Sequence, residues 1–172
     1  GGNMADSCPN EFGNSTGGGV YGCVDTDGDQ WADIQDQMPN DATQYLDTDG
    51  DGYGDNPDGT NPDACPLTIG NSTTDRFGCS DNDGDGVSDL NDAFPYDPLK
   101  TADSDLDGFD DSGDDCPLVA GTSLNGSIGC FDADQDSWAD ANDSFPMDDS
   151  QWNDTDNDGY GDNINGTQGD SC

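Results

Sequence analysis

The chain of 172 residues has no histidine, a single glutamate (Glu11) and only two basic residues, Arg76 and Lys100. Without histidine, proton transfer in a reaction would fall to the aspartates. Without basic residues, the phosphates of a nucleic acid would be repelled. The sequence also lacks a phosphate-binding glycine-rich loop and an apolar run long enough to cross a membrane. We therefore expect neither an enzyme, nor a nucleic-acid-binding protein, nor a transmembrane segment.

Apolar residues are scarce too: hydrophobic residues make up 28% of the chain and aromatic residues 8%. A core this weak usually needs metals or disulfides to support it. The alternative interpretation is a disordered acidic segment, since the net charge is −38. We expect that state only without metal, because disorder requires no fixed spacing of residues and this chain has one.

Aspartate supplies 39 of the 40 acidic residues, and most of them repeat one pattern. A 12-residue frame with aspartates at positions 1, 3, 5 and 9 occurs six times, and position 12 is also acidic in five copies. Such a loop can wrap one Ca²⁺, with the backbone carbonyl of position 7 and the side chain of position 12 completing the shell. The sequence therefore predicts about six or more Ca²⁺ sites, with folding coupled to metal binding. Frames 1 to 6 begin at Asp25, Asp47, Asp81, Asp103, Asp132 and Asp154.

The predicted ligands are the residues at positions 1, 3, 5, 7, 9 and 12 of each frame. Position 6 normally holds the glycine of a sharp turn, but frames 1 and 5 have Gln30 and Ser137 there. We expect these two sites to differ in geometry or to bind more weakly. In chain order the predicted ligands are Asp25, Asp27, Asp29, Trp31, Asp33, Asp36, Asp47, Asp49, Asp51, Tyr53, Asp55, Asp58, Asp81, Asp83, Asp85, Val87, Asp89, Asp92, Asp103, Asp105, Asp107, Phe109, Asp111, Asp114, Asp132, Asp134, Asp136, Trp138, Asp140, Asp143, Asp154, Asp156, Asp158, Tyr160, Asp162 and Asn165.

Little regular secondary structure is expected around these frames. Pro39, Pro95 and Pro146 follow position 12 of frames 1, 3 and 5 by three residues, too soon for a long exiting helix. Single helical turns are expected at 32–35 and 139–142. The apolar residues at position 7 and before these prolines predict small local clusters, with ligand binding by exposed aromatics as the alternative.

The frames are organised in tandem units that each open at a cysteine. We predict repeats at 8–64, 65–115 and 116–171, with 1–7 as the end of a preceding repeat and 172 as the start of a further one. We therefore expect the printed residues to begin and end inside the repeat, and they contain no signal-peptide pattern. We expect a piece of a longer secreted array that associates end to end.

The seven cysteines predict disulfides rather than zinc, because there is no histidine and no Cys-x-x-Cys pair. Disulfides imply an extracellular or cell-surface location. Local pairing gives Cys8–Cys23, Cys65–Cys79 and Cys116–Cys130 and leaves Cys172 for a partner outside the chain. A shifted pairing that starts with Cys23–Cys65 remains open.

Asn-x-Ser/Thr sequons recur more often than composition predicts, which is typical of the surface loops of secreted glycoproteins. The alternative is that asparagine, serine and threonine are simply abundant in turns. Asn165 is also position 12 of frame 6, and one side chain cannot easily be both ligand and glycan carrier. The sequons that we predict to carry N-linked glycans begin at Asn14, Asn71, Asn125, Asn142, Asn153 and Asn165.

Residues 83–92 (Asp-Gly-Asp-Gly-Val-Ser-Asp-Leu-Asn-Asp), followed by Ala-Phe-Pro-Tyr-Asp-Pro, resemble thrombospondin type 3 repeats and their prokaryotic relatives. The segment from Cys65-Pro66 to Gly78-Cys79 is similar to the short disulfide loop of the prokaryotic versions. This resemblance implies a calcium-wrapped elongated rod of mostly irregular structure at a cell surface or in an extracellular matrix. It also implies that Asp41, Asp97 and Asp148 complete neighbouring sites. Dockerins pair similar loops but need helices that the prolines oppose.

These observations predict a calcium-binding extracellular structural protein that forms a rod or filament. The alternative is a calcium-dependent adhesin stalk or binding module, whose mark would be a surface patch present in one repeat only. Arg76 and Lys100, both in the middle repeat, are the only candidates for such a patch. A third interpretation is binding to mineral surfaces, but few aspartates lie outside the frames.

Overall fold

The computed structural model describes residues 5–170. Over this range it contains no helix, and its only strand pairings are two isolated bridges, Asn125 with Trp138 and Gly161 with Gly169. The prediction of a mostly irregular chain is therefore confirmed for the described residues. Predictions that fall on 1–4 and 171–172, including those for Cys172, lie outside this range.

The chain divides into two compact units, Gly1–Leu99 and Lys100–Cys172. The division falls inside the predicted repeat 65–115, so one unit contains frames 1 to 3 and the other frames 4 to 6. The repeat boundaries themselves stay a prediction.

A single hydrogen-bonded turn follows position 7 in each odd-numbered frame. In frame 1 the N–H groups of Gln35 and Asp36 both donate to the carbonyl of Ala32, at 2.7 and 2.9 Å. In frame 3 those of Asn91 and Asp92 donate to Ser88 in the same way. The chain then reaches the pre-proline residue, which cannot easily stay in the helical region. The turn therefore ends after one hydrogen-bonded repeat.

Small and polar side chains fill the interior. Between residues 5 and 170 the buried hydrophobic residues are only three half-cystines and two alanines, whereas the largest fully buried side chains are Gln44 and Gln151. Aromatic residues pack locally: Trp31 stacks on Tyr45 with ring centroids 4.5 Å apart, and Tyr53 lies 5.8 Å from Phe77. The buried half-cystines and alanines are Cys23, Cys79, Cys130, Ala32 and Ala139.

The structure contains the three local disulfides, Cys8–Cys23, Cys65–Cys79 and Cys116–Cys130, each with its Cα atoms 5.1 Å apart. The shifted pairing is therefore not the one formed. Each loop closed by a disulfide, which we call a disulfide loop, lies against the frame that follows it in the chain. In the loop of Cys65–Cys79, the N–H groups of Thr73 and Thr74 donate to the carbonyl of Gly86, both at 2.9 Å.

The Cys65–Cys79 and Cys116–Cys130 loops also lie against the frame that precedes them. Gly70 donates its N–H to Asp51, position 5 of frame 2, at 3.0 Å. Gly121 donates to Asp107, position 5 of frame 4, at 2.8 Å. The Cys65–Cys79 loop therefore fastens frame 2 to frame 3, and the Cys116–Cys130 loop fastens frame 4 to frame 5.

Candidate metal centres

Position 1 of every frame organises the loop behind it. In frame 2, Asp47 accepts the N–H groups of Gly50 and Gly52 at 2.7 and 2.9 Å, one on each carboxylate oxygen. The same pair of bonds, from positions 4 and 6, occurs in all six frames. The chain is thereby wound around its first carboxylate, as a metal-binding loop requires.

This winding needs a positive φ at positions 4 and 6, where glycine is favoured. Gln30 and Ser137 nevertheless adopt φ of 87° and 83° at position 6, as Gly52 does at 98°. Their N–H groups donate to Asp25 and Asp132 at 3.1 and 2.9 Å, in the same pattern as the glycines. The expectation of a different geometry in frames 1 and 5 is therefore wrong for the backbone. The expected weaker affinity stays a prediction.

The carboxylates at positions 1, 3 and 5 converge. In frames 1 to 5, one oxygen from each of the three aspartates lies within 4.8 Å of the others, and a further acidic group of this kind is present. Position 5 is aimed by a bond from the N–H of position 7, as between Asp51 and Tyr53 at 2.9 Å. Three converging oxygens on one short loop could hold a metal ion.

Many of the carboxylate oxygens in and after the frames are buried and lack a hydrogen-bond partner. Among the described residues, eleven buried carboxylate oxygens have no hydrogen-bond partner, and all belong to positions 3 and 5 or to the aspartate of the Asp-x-Cys or Asp-x-Met/Phe turn that follows each frame's position 9. A buried carboxylate oxygen without a partner is costly, so each such atom requires an explanation. A cation inside the loop supplies one. The residues concerned are Asp27, Asp49, Asp63, Asp83, Asp85, Asp105, Asp114, Asp134, Asp136 and Asp143.

A recurring motif, Asp-x-Cys-Pro or Asp-x-Met/Phe-Pro, presents the closing aspartate. One oxygen of this aspartate accepts the N–H of the residue before the proline, as Asp143 does from Phe145 at 2.6 Å and Asp114 from Cys116 at 2.6 Å. The same bond is made by Asp6, Asp36, Asp63 and Asp92. The turn directs the second oxygen back towards the frame, and in Asp63, Asp114 and Asp143 this oxygen is buried without a partner.

In frames 1, 3, 4 and 5 this aspartate is position 12, as predicted. In frame 2 it is Asp63, five residues later than the predicted Asp58. Asp63 is 8% exposed, and a Cβ built on Gly78 would lie 2.5 Å from its Oδ1 and 3.0 Å from Asp51 Oδ2. Asp58 is exposed instead. Asn165, the predicted position 12 of frame 6, is also exposed.

Asp63 is thus the residue that sequence reasoning missed. Its signal was present in the sequence, because Asp63-Ala-Cys65-Pro and Asp114-Asp-Cys116-Pro share the spacing from aspartate to cysteine. The structure does not test Asp58 and Asn165 as ligands, and their assignment stays a prediction.

The carbonyl oxygens of position 7 are available. Within the described residues, none of the six accepts a hydrogen bond. Neighbouring carbonyls do accept them, for example those of Gly86 and Ser137 at position 6. This agrees with the predicted role of position 7 as a backbone ligand.

Position 9 is tied to position 2 of its own frame. Asp33 accepts both the N–H and the hydroxyl of Thr26, at 2.7 and 2.6 Å, and Asp111 accepts both from Ser104 at 2.7 Å. In frame 5, where position 2 is Ala133, Asp140 accepts only the N–H. These bonds give position 9 a role in holding the loop, and its predicted role as a ligand stays a prediction.

The pKa values separate the two kinds of aspartate. Burial raises the pKa of Asp63, against the hydrogen bond from Cys65, and repulsion from Asp51, Asp49 and Asp55 raises it further. Burial likewise raises the pKa values of six other aspartates at position 3, position 5 or the closing position. The hydroxyl and N–H of Thr155 instead lower the pKa of Asp162 at position 9. A cation among the buried carboxylates would offset the burial and repulsion that raise these pKa values.

The aspartates suggested by the resemblance occupy turns outside the frames. Asp41 accepts the hydroxyl and N–H of Thr43, which lower its pKa, and Asp148 accepts those of Ser150. The N–H of Asp148 also stabilises the carboxylate of Asp134, position 3 of frame 5. Completion of neighbouring sites by Asp41, Asp97 and Asp148 stays a prediction.

All six predicted sequon asparagines are exposed. In Asn14-Ser15-Thr16 the middle serine is buried, and its hydroxyl accepts the N–H of Cys23 at 3.0 Å. The asparagine is thereby fixed on the outer side of the disulfide loop.

No known protein family matched this chain in a scan of family models, and a search of curated proteins found no match either.

Proposed function

We propose that the chain is a calcium-binding extracellular structural protein, in which Ca²⁺ and disulfides replace a hydrophobic core and tandem repeats form a rod or filament. The observation that carries this proposal is the set of eleven buried carboxylate oxygens without partners among the described residues, of which ten lie in the frames and one belongs to Asp63, which follows frame 2. Leaving these oxygens charged and unpaired would oppose folding, so the loops are built for a cation.

Calcium fits the donor set best. Carboxylate and carbonyl oxygens from positions 1, 3, 5, 7 and the closing aspartate would hold the ion, and Ca²⁺ accepts many oxygen ligands in flexible geometry. Mg²⁺ instead retains several waters, and Zn²⁺ prefers nitrogen or sulfur. The chain has no histidine, and six of its seven cysteines form disulfides. Metal binding by closed loops leaves little for catalysis, and we propose no enzymatic activity.

The extracellular setting rests on the disulfides, which persist in oxidising compartments. The described residues include no helix with the length and apolar character that a membrane span requires. The exposed sequons support N-linked glycosylation. The frames, the disulfide loops and the lack of regular structure together support membership of the thrombospondin type 3 repeats, which remains part of the proposal.

Calcium titration of the metal-free chain tests this function. Isothermal titration calorimetry should give about six ions per chain, and near-ultraviolet circular dichroism should show tertiary structure that chelation abolishes. A chain that keeps its dichroism and its protease resistance in excess chelator would contradict the proposal. Electron microscopy in millimolar Ca²⁺ and after chelation would then separate filaments from short individual rods.

A second candidate, an adhesin stalk or binding module, is favoured by one observation. Each of the last two disulfide loops exposes apolar side chains directly after its first cysteine, including Leu67 at 81% and Leu118 at 80% exposure. Exposed apolar groups of this kind often mark contact surfaces. Separate rods in the microscope, with no self-association, would favour this candidate.

A further inference from the structure

From position 1 of frames 2 and 6 the chain is five residues longer up to its Asp-x-Cys than it is from position 1 of frame 4. From position 1 to this aspartate there are 17 residues in frame 2 (47–63) and frame 6 (154–170), but 12 in frame 4 (103–114). The extra residues lie beyond position 9. They therefore leave the converging carboxylates of positions 1, 3 and 5 unchanged and alter only how the loop is closed.

In both long frames a fully buried glutamine organises the extra residues. Gln44 accepts the N–H of Asn56 at 2.9 Å and donates to the carbonyls of Asn56 and Thr60 at 3.1 and 3.3 Å. Gln151 makes the same three contacts, with Asn163 at 3.0 Å twice and with Thr167 at 3.0 Å. The carboxamide thus bonds three backbone groups of the loop, which also makes hydrogen bonds of its own such as that from the N–H of Gly59 to the carbonyl of Asn56.

Two glycines of each long frame make room for that glutamine. A Cβ on Gly54 would lie 2.2 Å from Gln44 Oε1, and one on Gly59 would lie 2.3 Å from its Nε2. Gly161 and Gly166 have the same relation to Gln151, at 2.0 and 2.8 Å. The loop is therefore folded tightly around the carboxamide, and its far end returns to the frame.

The returning end carries an aspartate. The N–H of Asp63 donates to the carbonyl of Gly54 at 2.9 Å, and the N–H of Asp170 donates to that of Gly161 at 2.9 Å. Asp63 is more than nine-tenths buried, and its Oδ2 has no hydrogen-bond partner. A buried oxygen of this kind, beside the carboxylates of Asp49 and Asp51, is placed for a cation.

We propose that Asp63 and Asp170, in place of Asp58 and Asn165, are the closing Ca²⁺ ligands of frames 2 and 6, and that Gln44 and Gln151 are the positioning residues that deliver them. This inference rests on the proposed function. It also leaves Asn165, which is exposed, available as a sequon.

Calcium titration of two matched variants tests the assignment. Asp63→Asn should lose one ion from the measured stoichiometry, or bind it far more weakly, whereas Asp58→Asn should titrate like the parent chain. Asp170→Asn and Asn165→Ala repeat the comparison in frame 6. Loss of the ion in Asp58→Asn with retention in Asp63→Asn would overturn the assignment, and so would equal titration of the two variants.

Folding is controlled within the same experiment. Asp63→Asn changes few atoms, and a chain that still binds its other ions is folded. The parent titration tests the proposed function separately: a parent that binds fewer than six ions, but loses one more in Asp63→Asn, still supports this inference. A parent that binds no Ca²⁺ overturns both.

A double-mutant cycle tests the positioning role. Gln44→Ala should weaken the frame 2 ion by about 10–100-fold, the usual effect of losing an outer-shell partner. Combined with Asp63→Asn it should add little more, because both changes remove the same ligand. If Gln44 merely stabilised the unit, its effect on affinity would add in full to that of Asp63→Asn, and the positioning role would be excluded.

Discussion

Frames 2 and 4 solve the same problem with different residues. Frame 2 has Gln44 three residues before it, Gly54 at position 8 and five extra residues before its Asp-x-Cys. Frame 4 has Lys100 three residues before it, Asp110 at position 8 and no extra residues. Frame 6 repeats frame 2 at all three places. In both designs the aspartate two residues before a cysteine ends with a buried oxygen that lacks a partner, in Asp63 and in Asp114.

This difference shows which parts of the loop can vary. Positions 1 to 7 wind the chain around the carboxylates by the same hydrogen bonds in both frames. After position 7, a buried polar group must satisfy the backbone that leads to the closing aspartate. A neutral carboxamide does this in frame 2. In frame 4 Asp110 accepts the N–H groups of Thr101 and Ser112, at 3.3 and 3.1 Å.

Placing the lysine of frame 4 at the glutamine position of frame 2 should give the largest change in the unfolding free energy. Gln44→Lys puts an ammonium group where Gly54 and Gly59 already enclose the side chain, and it removes the acceptor for Asn56. We expect a loss of about 3 kcal/mol or more in the unfolding free energy of the Gly1–Leu99 unit, from overpacking and an unpaired buried charge. Thermal or urea unfolding in saturating Ca²⁺ measures it.

The complete exchange should recover most of that loss. Adding Gly54→Asp and replacing residues 56–62 with Ser-Gly gives frame 2 the sequence features of frame 4. We expect stability within about 1 kcal/mol of the parent, since the features are coupled rather than additive. Lys100→Gln, the matched control in frame 4, should cost less than about 1 kcal/mol. If the complete exchange were no more stable than Gln44→Lys alone, the two designs would not be interchangeable solutions.

The sequence alone predicts the irregular fold, the local disulfides and positions 1 to 7 of each frame, because these follow from short fixed spacings. It did not single out Asp63, although the spacing from Asp63 to Cys65 was visible. Asp58 satisfies the 12-residue spacing, and the structure was needed to show that Asp63 is buried beside frame 2 while Asp58 is exposed. No periodic pattern in the sequence predicts that Gln44 is buried. Glycines such as Gly54 are not distinguishable in sequence from ordinary turn residues.

Removing the acceptor of frame 4 should have an intermediate effect. Asp110→Ala removes the acceptor of the N–H groups of Thr101 and Ser112. Because both residues are exposed, water can partly replace that acceptor, and we expect a loss smaller than that of Gln44→Lys. Asp110→Asn keeps an acceptor oxygen and should lose less. Urea unfolding of each variant in Ca²⁺ provides the comparison. An Asp110→Ala variant as stable as the parent would show that frame 4 does not need this acceptor.

Substitutions at positions 1 to 7, where frames 2 and 4 make the same hydrogen bonds, should change the unfolding free energy equally in both frames. Gly52 and Gly108 have φ of 98° and 97°, and a Cβ on either would meet nothing within 4 Å. Gly52→Ser and Gly108→Ser should therefore each cost about 1 kcal/mol, from the backbone conformation alone. The reverse change, Ser137→Gly at φ 83°, should gain about as much in frame 5. Thermal unfolding in saturating Ca²⁺ measures all three.

Clearly unequal losses from Gly52→Ser and Gly108→Ser would mean that the difference between the designs extends into positions 1 to 7. A Ser137→Gly variant no more stable than the parent would show instead that position 6 tolerates a side chain without strain.

The disulfide loops that follow the two frames should make different contributions to how the unfolding free energy changes in acid. We expect this effect to be the smallest of those predicted. Burial acts to raise the pKa of Asp75, but hydrogen bonds from the N–H and hydroxyl of Ser88, from Asn91 and from the N–H of Arg76 outweigh it and lower the pKa to about 2. The corresponding residue of the loop after frame 4 is Gly126, which lies against Asn142 and has no carboxylate.

A carboxylate whose pKa falls on folding stabilises the fold above its unfolded value of 3.8, and this contribution is lost as the pH drops towards 2. Asp75→Asn should therefore destabilise the Gly1–Leu99 unit at pH 6, and the difference from the parent should shrink between pH 4 and pH 2. Because the exposed Asp75 is screened by solvent, we expect the difference to be small. Urea unfolding of both proteins at several pH values in high Ca²⁺ measures it. Asn142→Ala is the control, because Asn142 of frame 5 lies against Gly126 in the loop that lacks the carboxylate. A difference that stays constant down to pH 2 would show that Asp75 acts through its shape and not through its charge.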